Sequence, residues 1–406
     1  MTVKIAVLLG DGMADVPLDE LDGLTPLQAA ATPHLDALAR DGILGTAVTV
    51  PEGFPAGSDV ANLSVFGYDP AVCYSGRAPL EAAAMGVELG PDDIAYRMNL
   101  VHLLPGMKEV YMDDFCAGHI GSAEARQIVE TLAAELTADG LEFYPGVSYR
   151  HLLVWRGGED RAVTTPPHDI MGQPIQEHLP RGPGAEELTH LITGSQMLLM
   201  DHPVNRARQE AGHKTANSIW LWGQGRKPQM QTYREKYGLT GAVVSAVDLL
   251  KGIAWVVGLD APEVPGATGY LDTNYAGKVA AALDALVDGD FVYLHVEAPD
   301  EAGHSGSVED KMRAIADFDA QVVGPMRAAL EACGEPFTIL AMPDHPTPVL
   351  IRTHNSDPVL FALYCSAAPG GSGAAGFYED AARAAGVHVL HAHQLMDHIL
   401  GRGRAW

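Results

Sequence analysis

Three β-rich, largely apolar runs, Val3 to Leu9, Phe291 to Val296 and Phe337 to Met342, each stop at a turn that carries a carboxylate. The turns are Gly10-Asp11-Gly12, Glu297-Ala298-Pro299-Asp300 and Pro343-Asp344-His345. A run this rich in apolar residues, with no polar alternation, fits a strand buried on both faces, as in parallel sheets. Parallel strands need long crossovers, and helical patterns supply them. Thr32-Pro33 starts a helix through Arg40, with Thr as N-cap, proline at the first helical position and Gly42 just past the end. A longer pattern from about Val308 to Ala332 stops before Gly334, and Val359 to Tyr364 reads as a further strand. This alternation predicts an α/β fold with a doubly wound, mostly parallel sheet. Asp11 then lies at the carboxyl end of a parallel strand, where open α/β sheets place their ligands.

A chain of 406 residues exceeds what one ordinary core supports, so two domains are expected. From about residue 80 to 190 the sequence turns richer in proline, glycine and short alternating runs, including Gly146 to Trp155 and Arg161 to Gly184. One strong helix, Ala123 to Thr137, lies within it. The expected division is a sheet domain of residues 1–79 and 190–406, with a smaller α+β domain, 80–189, inserted into it. Pro369 to Gly376 reads as a surface loop.

Net charge is −26, which argues against nucleic acid and anionic membranes as partners. It would also repel a small phosphorylated metabolite unless local cations reversed the field. With 17 histidines against 26 lysines and arginines, metals are the more interesting source of positive charge. The apolar run Ile5 to Leu9 is too short for a signal peptide or membrane span. Four scattered cysteines with no CxxC pair suggest free thiols in a reducing compartment, hence the cytoplasm. Oligomeric state is not legible.

Four short segments place cation-binding side chains directly after a strand or turn: Asp11, Asp300 with His304, Asp344 with His345, and His354. Aspartate with neutral imidazole suits two divalent ions, Mn2+ or Zn2+ first, with Mg2+ or Co2+ as alternatives. Two ions about 3.5–4 Å apart clamp the attacking and leaving oxygens of a phosphoryl transfer. Each segment alone is more often a turn or a satisfied polar group; four in equivalent places are harder to explain that way. Ala56-Gly57-Ser58-Asp59 puts a glycine-preceded serine at a helix start, where a metal would make it a nucleophile. From that segment alone, a simple helix cap is the commoner meaning. His391, His393 and His398 read as structural, and His168 is a candidate substrate contact.

These residues resemble the archaeal-type cofactor-independent phosphoglycerate mutases of the alkaline-phosphatase superfamily over essentially the whole chain. The resemblance rests on Asp11-Gly12-Met13-Ala14-Asp15, Gly57-Ser58-Asp59 with Asn62-Leu63, Tyr74-Ser75-Gly76-Arg77, Tyr96-Arg97-Met98-Asn99-Leu100, Asn205 with Arg208, Asp300 to His304, and Asp344-His345 with Thr347-Pro348. It implies that Ser58 carries the phosphoryl group and that no bisphosphoglycerate cofactor is needed. It further implies that Asp11, Ser58, Asp344 and His345 hold one metal, and Asp300, His304 and His354 the other. Arg97, Asn99, Asn205 and Arg208 become substrate-binding candidates, joined by Arg206 from proximity and by Lys311 as a neutralising charge.

Two places depart from that pattern. The mutases usually carry arginine where His119 and Trp222 stand. The Trp220-Leu221-Trp222-Gly223-Gln224-Gly225 version resembles a bacterial branch proposed to include homoserine kinases. A kinase-like phosphotransferase is therefore an alternative, as are a non-catalytic metal-binding protein and a simple phosphatase.

Overall fold

The computed structural model describes residues 3–136, 139–368 and 370–403. The chain forms two compact units: one runs to Tyr74 and resumes at Gln229, and the other is Ser75–Pro228. The insertion is thus longer than the expected 80–189. The helices Ala185–Leu199 and Pro203–Glu210 and the strand Ser218–Gly225 all belong to it. That strand pairs with Ile94–Pro105, and Leu188, Leu191 and Ile192 join the same apolar cluster as Tyr96 and Met98.

The first unit holds a seven-stranded sheet. Its order is His388–Val389, Ile43–Ala47, Val359–Cys365, Phe337–Met342, Lys4–Gly10, Phe291–Val296, Gly241–Val244. All neighbours are parallel except Val359–Cys365, which runs antiparallel to both of its partners. Phe291–Val296 and Phe337–Met342 are buried at every residue, as their largely apolar sequences imply. Register does the positioning. Leu9 pairs with Met342 and Gly10 with Val296, so Asp11, Asp344 and the turn leading to Asp300 emerge along one sheet edge.

Two helical expectations change in detail. The pattern from Val308 to Ala332 is two helices, Val308–Phe318 and Gly324–Cys333, joined by a wider π-turn over Asp319–Val323. Pro325 has no N–H for the ladder at that point. Asp319 is also occupied elsewhere: its carboxylate accepts from His34 N at 3.2 Å and Leu35 N at 2.6 Å. Those are the first amides of the helix Pro33–Asp41, so a distant aspartate caps it in place of the Thr32 hydroxyl.

The second unit is a five-stranded antiparallel sheet. The predicted helix is Ser122–Glu135, and Thr137 lies outside the described residues. Residues 370–376 are irregular as expected, while Pro369 lies outside the description.

Candidate metal centre

Asp11 leaves its strand with both carboxylate oxygens enclosed. Oδ2 lies 2.9 Å from His295 Nε2, whereas Oδ1 is buried with no hydrogen-bond partner among the described residues. Gly12 follows at φ +62°, and a Cβ there would meet Thr347 Oγ1 at 2.5 Å and Asp300 Oδ1 at 2.7 Å. Only glycine lets the three turns approach so closely.

Asp344 Oδ1 accepts from Gly12 N at 3.2 Å and His345 N at 2.9 Å, and Oδ2 from Asn62 Nδ2 at 2.8 Å. His345 is the hub. Its Nε2 lies 3.4 Å from Asp344 Oδ2, 3.6 Å from Asp11 Oδ1 and 3.1 Å from Ser58 Oγ.

The second set grows from the helix Ala298–Ser305, which places Asp300 and His304 one turn apart on one face. His304 Nε2 is 3.2 Å from Asp300 Oδ2, His354 Nε2 is 3.4 Å from Asp300 Oδ1, and the two imidazole nitrogens are 3.0 Å apart. Ligand atoms 2.0–2.1 Å from a tetrahedral ion sit about 3.3–3.4 Å from one another. The spacing matches. Asp11, Asp344 and His345 form one group, and Asp300, His345 and His354 another, with ligand atoms within 4.8 Å inside each.

Tautomers supply a stricter test of fit. His304 Nδ1 faces Arg352 O at 3.0 Å and His354 Nδ1 faces Ala56 O at 3.4 Å, and a carbonyl only accepts. Thr347 donates its hydroxyl to Asp300, so His345 Nδ1 donates to that oxygen at 3.3 Å. Each ring's proton is therefore on Nδ1, which leaves three bare Nε2 atoms converging on carboxylates and on each other. A cation at the centre satisfies that arrangement. Without one, a proton on His304 is the substitute: burial opposes it, but the Asp300 carboxylate pushes His304 up to about 9.

Charge tells the same story. Burial, and then Asp344 and Asp300, push Asp11 well above the usual carboxylate range. Burial also acts to raise Asp300, yet the His304 and His354 hydrogen bonds outweigh it and hold that carboxyl well below. Burial lowers His345.

Ser58 is the first residue of the helix Ser58–Val65, whose N-cap is Gly57, so its hydroxyl is not spent as a cap. Asn62, one turn on, bonds Ser58 O and Asp344 Oδ2, both at 2.8 Å, and accepts from Tyr293 OH at 2.5 Å. His295, Asn62, Tyr293 and Thr347 are absent from the sequence-derived site set. His295 is an imidazole within an otherwise largely apolar buried strand, which was the available signal.

The remaining candidates separate. Lys311 is fully buried and donates to Asp15 Oδ2 at 2.7 Å, so it serves loop structure. Asn205 bonds Leu199 O and Ala216 O; Arg208 bonds Glu124, Ala117 O and Lys214 O. Both clamp backbone. Arg206 is exposed and pairs with Asp201. Arg97 and Asn99 share one face of the second unit's sheet. Buried Arg97 pairs with Glu81 at 2.7 Å and stacks on Trp222 at 4.8 Å, and its Nε has no hydrogen-bond partner among the described residues. Trp222 Nε1 donates to Asn99 Oδ1 at 3.1 Å, and the exposed His168 meets the Trp222 ring edge-on. His119 is exposed, at φ +51°. Neither ligand group includes His391, His393 or His398.

The family model for 2,3-bisphosphoglycerate-independent phosphoglycerate mutase matches residues 39–205. A probable 2,3-bisphosphoglycerate-independent phosphoglycerate mutase of Geobacter sulfurreducens is 57% identical, covering 98% of this chain and 100% of its own length. The Methanosarcina acetivorans 2,3-bisphosphoglycerate-independent phosphoglycerate mutase is 53% identical over 97% of this chain and 98% of its own. Among solved structures, a Pyrococcus horikoshii protein superposes with TM-score 0.80 at 29% identity, covering 100% of this chain and 99% of its own. The cofactor-independent phosphoglycerate mutase of Thermoplasma acidophilum gives TM-score 0.64 at 26% identity, covering 99% and 100%.

Proposed function

The chain belongs to the 2,3-bisphosphoglycerate-independent phosphoglycerate mutases, and from that premise we propose how its site works. The enzyme interconverts 3-phosphoglycerate and 2-phosphoglycerate, with Ser58 as carrier. Ser58 Oγ bonds to phosphorus as the substrate's own P–O bond breaks. The bound glycerate then reorients, and its other hydroxyl takes the phosphoryl group back. No bisphosphoglycerate is consumed.

The observation that carries this reading is the 3.1 Å contact between Ser58 Oγ and Nε2 of His345, a residue that lies within ligand distance of both carboxylate clusters. Asp11, Ser58, Asp344 and His345 would hold one divalent ion, and Asp300, His304 and His354 the other; the donor set favours Mn2+ or Zn2+. When bound, such ions lower the serine's pKa and offset the phosphoryl charge. Asn62 fixes the backbone at Ser58 and the Asp344 carboxylate together, so nucleophile and ligand keep one spacing. In the second unit we assign Arg97 and Asn99 to the anionic substrate. Trp222 orients the Arg97 cation by stacking against it. The free cysteines fit a cytoplasmic enzyme, and no described helix is long and apolar enough to cross a membrane.

The test is Ser58→Ala, assayed with 3-phosphoglycerate, Mn2+ and no bisphosphoglycerate. Isomerisation should vanish while metal binding survives. Unchanged turnover would rule out the phosphoserine route. Homoserine with ATP serves as the parallel assay, and phosphohomoserine formed without isomerisation would favour the kinase alternative.

A further inference from the structure

We propose that Thr347 couples the two groups of metal ligands, and that the buried Lys311 fixes Thr347 for that role. The proposal rests on the metal reading of the site.

One hydroxyl touches a ligand from each group. Thr347 Oγ1 donates to Asp300 Oδ1 and accepts from His345 Nδ1 at 3.3 Å. It thereby fixes the His345 tautomer and the Asp300 rotation together, the work of an outer-shell partner. The Thr347 backbone is itself held: Lys311 Nζ donates to its carbonyl at 2.7 Å, and its N–H meets Ala14 O at 3.3 Å. The same ammonium donates to Ala14 O at 3.3 Å and Asp15 Oδ2 at 2.7 Å, so its three protons have three acceptors. Lys311 thus joins the loop after Asp11 to the loop after His345. Two glycines make room for the arrangement. A Cβ at Gly303 would meet Thr347 O at 2.4 Å, and one at Gly12 would meet Thr347 Oγ1 at 2.5 Å. Thr347 is fully buried, and a buried hydroxyl with both roles filled is directional in a way an apolar isostere is not.

The experiment is calorimetric titration of the metal-stripped full chain with Mn2+ and with Zn2+, comparing parent, Thr347→Val, Thr347→Ser and Asp300→Asn, with circular dichroism to confirm folding. Thr347→Val should lose about 10- to 100-fold in metal affinity, and Thr347→Ser should restore most of it. Parent-like affinity in Thr347→Val, beside weakened Asp300→Asn, overturns the coupling role alone. Parent-like affinity in Asp300→Asn overturns the metal reading beneath it. If Thr347→Val does not fold, Lys311→Met combined with Asp15→Asn removes both ends of the buried ion pair. The same loss is expected there, and undiminished affinity overturns the proposal.

Discussion

His295 donates from Nε2 to Asp11 Oδ2 at 2.9 Å and thereby turns the carboxylate's other oxygen toward His345. The carboxylate only accepts, so the ring proton is on Nε2. Ser245 Oγ, 3.1 Å from His295 Nδ1 and accepting from Val247 N, then gives its own proton to the bare Nδ1. Burial, and then Lys278, push His295 down to about 3, so it stays neutral at physiological pH.

Replacing His295 with leucine should therefore weaken metal binding without touching a ligand. Affinity is expected to fall about 10- to 100-fold, and His295→Gln, which keeps a donor, should lose less. Chelator-competition titration reads the difference. Equal affinity in the leucine variant would mean that Asp11 is oriented by its backbone alone.

Metal uptake should release protons. In the metal-free protein His304 is protonated up to about pH 9 and Asp11 is held above the usual carboxylate range, and both must be bare to ligate. Affinity should therefore rise with pH up to about 9, and calorimetric heats should depend on buffer ionisation. The metal-free protein should behave the opposite way. His304 is raised above its unfolded value of 6.5, so its stabilising contribution is full below pH 6.5 and is lost as pH climbs through 9. Melting temperatures with and without EDTA across pH 6–9.5 should diverge.

Much of this candidate site was legible because its carboxylates and imidazoles sit where largely apolar runs stop. Phe291–Val296 and Phe337–Met342 are fully buried along their length, which leaves little freedom in where they end. What was not legible depends on partners far away in sequence. Asn205 and Arg208 look like substrate contacts in the sequence, yet they satisfy backbone carbonyls of neighbouring loops. The insertion's later boundary was missed because the strand Ser218–Gly225 reveals its membership only through its pairing with Ile94–Pro105.

Glu81 and Arg97 give a prediction inside the second unit. Burial raises Glu81, but Arg97 and then Arg77 hold it below the usual carboxylate range. Glu81→Gln leaves the buried Arg97 guanidinium without its countercharge and should cost about 3–5 kcal/mol in urea unfolding. If Arg97 grips substrate, KM for 3-phosphoglycerate should rise as well. A variant of parental stability would mean that stacking on Trp222 suffices to hold the cation.

Lys278 makes the opposite prediction, a substitution that stabilises. Its side chain is fully buried and donates to the backbone carbonyl of His295, the residue that holds Asp11, at 3.1 Å. Burial lowers it to about 8 from an ordinary 10.5, although Glu297 pulls the other way. Between those values the unfolded chain binds a proton that the folded one does not, so stability rises with pH from about 8 to 10.5. Below pH 8 both states are charged and the cost of burying the charge is carried in full. Lys278→Met removes that cost, on the order of 2–3 kcal/mol, against about 1 kcal/mol for the lost hydrogen bond. The net gain should be about 1–2 kcal/mol at pH 7 and should fade to zero or below near pH 10.5, read from urea midpoints at both values. A loss at pH 7 would mean that the ammonium stabilises the strand end beneath Asp11 by more than its burial costs.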